Sequence, residues 1–220
     1  MPSLAATRAS ERVLDFFGGK AIVGVPGLGV KLRSGHYASV GGGINETSRE
    51  LVGVTSRVGS SWGLFVAEAS ETIGNGLAAY YEYVAAQVHR WVDPLSNEQF
   101  WRNPYPYGNS VGHLVLHLTG NLNYYIGARV AETGYVRDRD REFTDKQPPQ
   151  KAEALQAFDR TIVMVVDTIR KQSAADWGKT YTAEREPEAE NRFQIFVRCA
   201  GHAYHHVGQM VYLSRELART

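Results

Sequence analysis

Between residues 68 and 217 apolar side chains recur at intervals of three and four, the spacing of one face of an α-helix. The pattern falls into four long segments, at residues 68–92, 110–132, 151–172 and 192–217. Pro94 ends the first segment, Gly134 closes the second, and Asn109 or Ser110 is suited to cap the second. No segment alternates as a strand does. We therefore predict an all-α fold, an antiparallel four-helix bundle.

The connection between the second and third predicted helices, residues 135–150, is long enough to cross the end of such a bundle. It alternates arginine with acidic residues from Arg137 to Glu142 before two prolines. Its charges nearly cancel, which is typical of a solvated connection rather than of a binding patch.

Residues 1–63 differ from the rest of the chain, because they hold 12 of its 22 glycines and show no sustained pattern beyond a short helix at residues 5–17. Glycine raises the entropy that is lost on ordering and offers no apolar area in return. We predict that residues 1–63 are a poorly ordered, Gly-rich extension or follow a mis-assigned start, with true initiation near Leu64 or Val66. Residues 64–220 would then be the functional domain.

Composition excludes several classes of protein. The chain has 24 basic and 23 acidic side chains, a net charge of +1, so nucleic acid is not an expected partner. Its longest apolar run, residues 21–30, is short and interrupted by three glycines and Pro26, so no membrane span is expected. Cys199 is the single cysteine and cannot form an internal disulfide, which favours a reducing compartment and a cytoplasmic location.

The histidines carry the chemical signal. Five of the seven fall in two clusters, one in the second predicted helix and one in the fourth: His113, His117, His202, His205 and His206. Residues four apart on a helix share a face, so His202 and His206 can present two imidazoles to one ion, and His113 and His117 share the same spacing. His205 is rotated by about 100° from His206 and cannot join the same ion.

One histidine pair at this spacing is weak evidence, because buried or surface histidines explain most such pairs. Two pairs within apolar helices favour a metal, since buried imidazoles without partners are unfavourable and a divalent ion satisfies them together. Imidazole suits Zn, Ni, Fe or Cu, and zinc is the first choice. Haem or a dinuclear centre is the alternative, but the helices lack the Glu-x-x-His ligands of dinuclear bundles.

Residues 110–122, SVGHLVLHLTGNL, and residues 201–209, GHAYHHVGQ, resemble the DinB-like superfamily. The resemblance covers about residues 66–220, and the Arg-Asp-Arg-Asp run at residues 137–140 is similar to one uncharacterised branch. It implies a four-helix bundle that holds one divalent metal through three histidines. The ligands it implies are His117 from the second helix and His202 and His206 from the fourth.

Several neighbours of these ligands receive an interpretation. His113 has no counterpart in the family pattern, so we interpret it as a residue supporting the site or at the surface, not as a fourth ligand. Asn121 and Gln209 either orient a bound water or a ligand histidine, or bond between helices. Tyr125 and Tyr204 are interpreted as structural.

Three protein ligands leave a coordination position free, as in catalytic rather than structural zinc sites. The DinB-like resemblance implies thiol-dependent transferases or isomerases and metal-dependent hydrolases. We expect a small-molecule substrate, a low-molecular-weight thiol as cosubstrate, and Arg137 and Arg139 as contacts for a substrate carboxylate, unless their loop is only solvated surface. No residue is assigned as catalytic: no spacing places a carboxylate beside the three histidines, and nothing near Cys199 would lower its pKa.

The competing hypothesis is a non-catalytic metal-binding or stress-related bundle, with a homodimer formed through an exposed helix face. Both hypotheses use the same three ligands, so the sequence does not separate them.

Overall fold

The structure is a computed structural model that describes residues 46–219, with side chains described from Gly63 onward. The predicted helix at residues 5–17 and most of the predicted extension lie outside the described residues. The described chain forms α1 (Glu46–Val92), α2 (Asn97–Trp101), α3 (Val111–Leu122), α4 (Arg141–Thr144), α5 (Lys151–Arg170), α6 (Ala174–Trp177) and α7 (Arg192–Leu217). The prediction of an all-α fold is confirmed: these residues contain no named strand, and none of their helices is long and apolar enough to cross a bilayer.

The first helix begins earlier than predicted, at Glu46 instead of residue 68. Isolated glycines weaken a helix by about 1 kcal/mol each but do not end it, and no proline lies between residues 27 and 93. The described part of the predicted extension, residues 46–63, is therefore helical. A start at Leu64 or Val66 would remove about five turns of α1.

The predicted apolar face of α1 is buried only in part, because Val84 and Val88 are fully buried but other positions at the same spacing are not. Ile73 and Tyr80 follow the three-and-four spacing of this segment but are each 39% exposed, whereas Tyr81 is fully buried. The Tyr81 hydroxyl donates a hydrogen bond of 2.7 Å to the carbonyl oxygen of Phe196 in α7. Two adjacent stripes of this helix are apolar, and packing against α7 selects the one whose polar atom finds a partner.

Each of α1 and α3 packs on both α5 and α7. Contacts along the interfaces define the directions of the helices. Glu82 of α1 contacts Arg170 near the end of α5, and His89, later in α1, contacts Asp159, earlier in α5. The α1 and α5 helices therefore run in opposite directions.

Two other pairs run in the same direction. Between α1 and α7, Tyr81 contacts Phe196, and the guanidinium of Arg215 lies over the ring of Trp91. The later residue of α1 thus contacts the later residue of α7. For α3 and α5, Trp101 lies against Gly112 at the start of one helix and donates to the carbonyl of Pro149 just before the other, so both helices start at the same end. The predicted antiparallel arrangement thus holds for α1 with α5 and for α3 with α7, but not for the remaining two pairs.

This topology explains the long connection after α3. Because α3 and α5 start at the same end, residues 129–150 must return along the bundle rather than only cross its end as predicted. We call residues 129–150 the crossover. It includes the short helix α4 and passes beside the middle of α3.

The second predicted helix, residues 110–132, is divided in the structure. It begins at Ser110, whose hydroxyl caps the amide of His113, and α3 ends at Leu122. A π-helical segment, Asn123–Ala128, continues it. There the side chain of Asn123 donates to Thr119 and to Thr161 of α5, which ties the wider turn to its neighbour.

Candidate metal centre

Three histidines converge between α3 and α7. Nε2 of His202 lies 3.0 Å from Nε2 of His117 and 3.2 Å from Nε2 of His206. One ligand nitrogen from each ring falls within 4.8 Å of the others, a separation that suits ligands of a single ion. The i, i+4 spacing on α7 brings two of the rings together, and the packing of α3 on α7 supplies the third.

The outer nitrogens of two of these rings are held by acceptors. Nδ1 of His117 lies 2.8 Å from Oε2 of Glu142, and Nδ1 of His206 lies 2.6 Å from Oε1 of Gln209. An ionised carboxylate and an amide oxygen only accept, so both Nδ1 atoms carry the proton. Nε2 of each ring then presents a lone pair to the centre of the cluster.

The three Nε2 atoms are arranged as ligands of a metal ion would be. Nε2 of His202 faces two lone pairs, and a single N–H on it could satisfy only one of them. A cation at the centre satisfies all three, and imidazole nitrogen is a ligand that Zn, Ni and Fe accept. The chemistry and orientation of the donors therefore fit a divalent transition metal.

Burial keeps two of the rings neutral. Desolvation, followed by the neighbouring histidines, lowers the pKa of His202 to about 3. Desolvation also lowers the pKa of His206 to about 4, although its hydrogen bond to Gln209 acts in the opposite direction. Metal binding requires neutral imidazole. At neutral pH these two rings are already neutral, so they can bind an ion without releasing a proton.

The crossover places a buried ion pair next to Nδ1 of His117. The guanidinium of Arg137 donates to both carboxylate oxygens of Glu142, at 2.7 and 2.9 Å, and the two side chains are only 9% and 7% exposed. Burial raises the pKa of Glu142, but the hydrogen bonds with His117 and Arg137 outweigh it and leave the pKa below its ordinary value. Glu142 is therefore ionised and holds the His117 ring in one tautomer.

A glycine makes room for this carboxylate. A Cβ built on Gly120, one turn after the ligand histidine, would lie 2.1 Å from Oε1 of Glu142. Any other residue would push the carboxylate out of its position. The space that this carboxylate needs thus explains why residue 120 of α3 is a glycine.

A family model described as "Protein of unknown function (DUF1572)" matches residues 70–220. The chain belongs to this family. A search of curated proteins found no match.

Two solved structures resemble this DUF1572 family member. A conserved protein from Enterococcus faecalis is 14% identical, with a TM-score of 0.55 over 66% of this chain and 97% of that one. A DinB-like protein from Bacillus cereus ATCC 10987 is 15% identical, with a TM-score of 0.52 over 66% of this chain and 92% of that one. These likenesses confirm the DinB-like fold that the sequence predicted.

The structure brings together the three predicted ligands and separates them from two other histidines of this DUF1572 family member. The contacts of His113 are with other residues: its Nδ1 pairs with the hydroxyl of Ser110, 2.9 Å away, and its ring lies against Trp101. At the third position of α3 it reaches its own helix cap before it can reach the cluster. His205 is exposed and outside the cluster, as predicted.

The predicted supporting residues have different outcomes. Gln209 orients His206, one of the two roles we expected for it. Asn121 is buried and its Oδ1 has no hydrogen-bond partner among the described residues, so the structure shows no interhelical bond for that atom. Tyr125 is a buried packing residue whose hydroxyl donates to the carbonyl of Glu184. Tyr204 is 44% exposed and packs beside two tyrosines of α1.

The two arginines predicted to contact a substrate differ in their placement. Arg137 is committed to Glu142, so it is a buried partner of the site and not an arm reaching to solvent. Arg139 is exposed and lies over the ring of Phe143. The alternation of charge along residues 137–142 does not distinguish a buried arginine from a solvated one.

Glu142 is the functional residue that the sequence analysis missed. It lies 25 positions after His117, so no helical spacing relates the two. The available signals were an acidic residue in a long crossover and a glycine after the ligand, and each is ambiguous alone. Only the return of the crossover along α3 joins them.

Proposed function

We propose that this protein binds one divalent metal ion through His117, His202 and His206, with zinc as the first choice and nickel or iron as alternatives. The observation that carries the proposal is the convergence of three Nε2 atoms, two of them with their outer nitrogens held by acceptors. Such an ion would supply Lewis acidity, which lowers the pKa of a water or a thiol at a free coordination position.

We further propose that the protein is a metal-dependent enzyme of the thiol S-transferase or hydrolase type, acting on a small molecule in the cytoplasm. Within this proposal Glu142 and Gln209 keep the ligand rings in position, and Arg137 balances the charge of Glu142. Three neutral ligands leave the full charge of the ion at the site, which favours an anionic donor such as a thiolate.

The surroundings of the site favour thiol activation over general-base hydrolysis. Among the described residues the carboxylate nearest the cluster is Glu142, and it is already paired with both His117 and Arg137. Cys199 offers no competing nucleophile, because it is 3% exposed and burial raises the pKa of its thiol. A thiol as cosubstrate brings its own nucleophile and needs no base from the chain.

The same lack of a free base supports the second candidate function, a non-catalytic metal-binding protein. A homodimer through an exposed helix face belongs to either candidate. The Tyr80, Tyr83 and Tyr204 cluster on α1 and α7 supplies such a face, since its rings lie 6.1 Å apart and are each at least 39% exposed.

Elemental analysis of the purified full chain without a tag tests the metal site. We expect about one Zn, Ni or Fe per chain, and a severe loss in His117→Ala, in His202→Ala and in His206→Ala. His205→Ala is the matched control, because it removes an adjacent imidazole outside the cluster and should retain the metal. Equal metal content in all four variants would refute the site. Turnover of electrophiles only with a small thiol present would then separate the enzyme from the non-catalytic candidate.

A further inference from the structure

A cavity of about 380 Å³ lies beside one of the three clustered histidines. His202 belongs both to the cluster and to the wall of this cavity, so a molecule inside it would be next to the proposed ion. The cavity is at the lower end of the size range of small-molecule sites. The other lining residues come from α3, α7 and the segment before α7: Asn121, Glu186, Arg198, Cys199, Gly201 and His205.

Asn121 lines this cavity and contributes a buried polar atom without a partner among the described residues. It is 5% exposed, and its Oδ1 makes no hydrogen bond among the described residues. A buried acceptor left without a donor costs free energy. Such an acceptor in a folded protein therefore has a functional role or receives a hydrogen bond from a bound molecule. A ligand with an N–H or O–H group would supply the missing donor.

The charges of the wall are balanced. Glu186 pairs with Arg198, and the Cys199 thiol is kept neutral because burial raises its pKa. A ligand therefore meets no uncompensated charge from these three residues. This balance favours an uncharged group at the Asn121 end of the ligand.

Gly201 keeps part of the cavity open. A Cβ at this position of α7 would have no atom within 4 Å, so close packing between helices does not explain the glycine. A glycine inside a helix lowers stability relative to alanine. Gly208, on the same helix, also faces open space but does not line the cavity, which makes it a matched control.

We propose that this cavity is the substrate pocket of the metal centre, and that it selects a small ligand whose uncharged N–H or O–H group donates a hydrogen bond to Asn121. The proposal rests on the proposed function, since it places the other end of the ligand at the ion.

Two thiol probes that differ in one group test the selection. N-acetylcysteamine carries an amide N–H, and mercaptoethyl acetate replaces that N–H by an ester oxygen while keeping the thiol and the length. Each is titrated into the full chain loaded with Co²⁺, whose visible absorption reports a thiol at the ion. We expect the amide probe to bind about three- to tenfold more tightly than the ester, the range of one neutral hydrogen bond.

Substitutions at Asn121 and Gly201 test whether the preference for the amide probe arises in the cavity. Asn121→Leu should abolish the preference for the amide and leave Co²⁺ binding unchanged. Gly201→Ala should weaken both probes by about threefold or more, because its methyl group occupies the cavity, whereas Gly208→Ala should bind both as the wild type does. The glycine pair keeps the test decisive if Asn121→Leu fails to fold.

The outcomes separate the two proposals. A chain that takes up no Co²⁺ refutes the metal site itself. A loaded chain that binds neither probe, or binds both equally, overturns the selection while the metal site stands. A preference that persists in Asn121→Leu, or probe affinities unchanged by Gly201→Ala, overturns the role of the cavity.

Discussion

Substituting Glu142 by glutamine tests how far the crossover supports the metal centre. The change keeps the shape of the side chain but removes its charge. It leaves the guanidinium of Arg137, 9% exposed, without a counter-ion, and it removes the ionised acceptor from Nδ1 of His117. Stability and metal affinity should therefore both fall, for separate reasons.

The expected sizes follow from the burial of the pair. Breaking a buried ion pair on one side lowers the free energy of unfolding by about 3 kcal/mol, which for a domain of this size is a fall of about 6–12 °C in Tm. Loss of a carboxylate that holds a ligand histidine weakens metal binding by about 10- to 100-fold. Thermal unfolding of the metal-free chain measures the first effect, and competition with a chelator measures the second.

A double variant distinguishes the two contributions. Glu142→Leu with Arg137→Met replaces the pair by apolar side chains, so it should be more stable than Glu142→Gln yet bind metal just as weakly. Asp145→Asn is the control in the same crossover, because the Arg141 side chain that it pairs with is 72% exposed. Wild-type metal affinity in Glu142→Gln would refute the claim that Glu142 positions His117.

Further predictions concern packing, hydrogen bonding and pH. Gly120→Ala should weaken metal binding by displacing Glu142. Gly208→Ala should raise the free energy of unfolding in chemical denaturation by up to about 1 kcal/mol. Equal effects of the two substitutions on stability would contradict the close approach at Gly120. Tyr81→Phe should lower the free energy of unfolding by about 1 kcal/mol, because it removes the bond to the Phe196 carbonyl, and no loss in urea titration would refute that role. Burial lowers the pKa of His89, but its hydrogen bonds to Asp159 and Asp93 outweigh it and leave the pKa above 6.5. The folded pKa is thus above the unfolded one, so the contribution of His89 to the free energy of unfolding is complete below pH 6.5 and is lost as the pH rises through the folded pKa. Urea titrations of the wild type and of His89→Gln measure this contribution. A stability difference that is the same at every pH would refute it.

The prediction from sequence was accurate where the relevant interactions are local. The four helical segments follow from a periodicity within each segment, and Ser110 was recognised as a cap because a cap acts within one turn. His202 and His206 are four residues apart on one helix, so their pairing needs no knowledge of the fold. His117 was assigned through the resemblance to a family, and not through spacing.

The errors lie where two distant parts of the chain meet. The direction of α7 relative to α1, and the choice of Tyr81 over Tyr80 as the buried residue, depend on which helices become neighbours. The burial of Arg137 against Glu142 could not be foreseen for the same reason, since an alternating run of charge looks the same whether it faces solvent or a helix. The start of α1 was misjudged because glycine content was given more weight than the lack of proline.

Local sequence thus specifies the helices and the histidine pair of α7, because hydrogen bonds within a helix and i, i+4 neighbours depend only on residues close along the chain. Tertiary structure alone brings Glu142 to His117 and leaves Oδ1 of Asn121, beside a cavity, without a partner among the described residues. Those relations arise when the crossover returns along α3 and when α3 packs on α7. No periodicity encodes them, because the residues involved are separated by tens of positions and meet only in the folded chain.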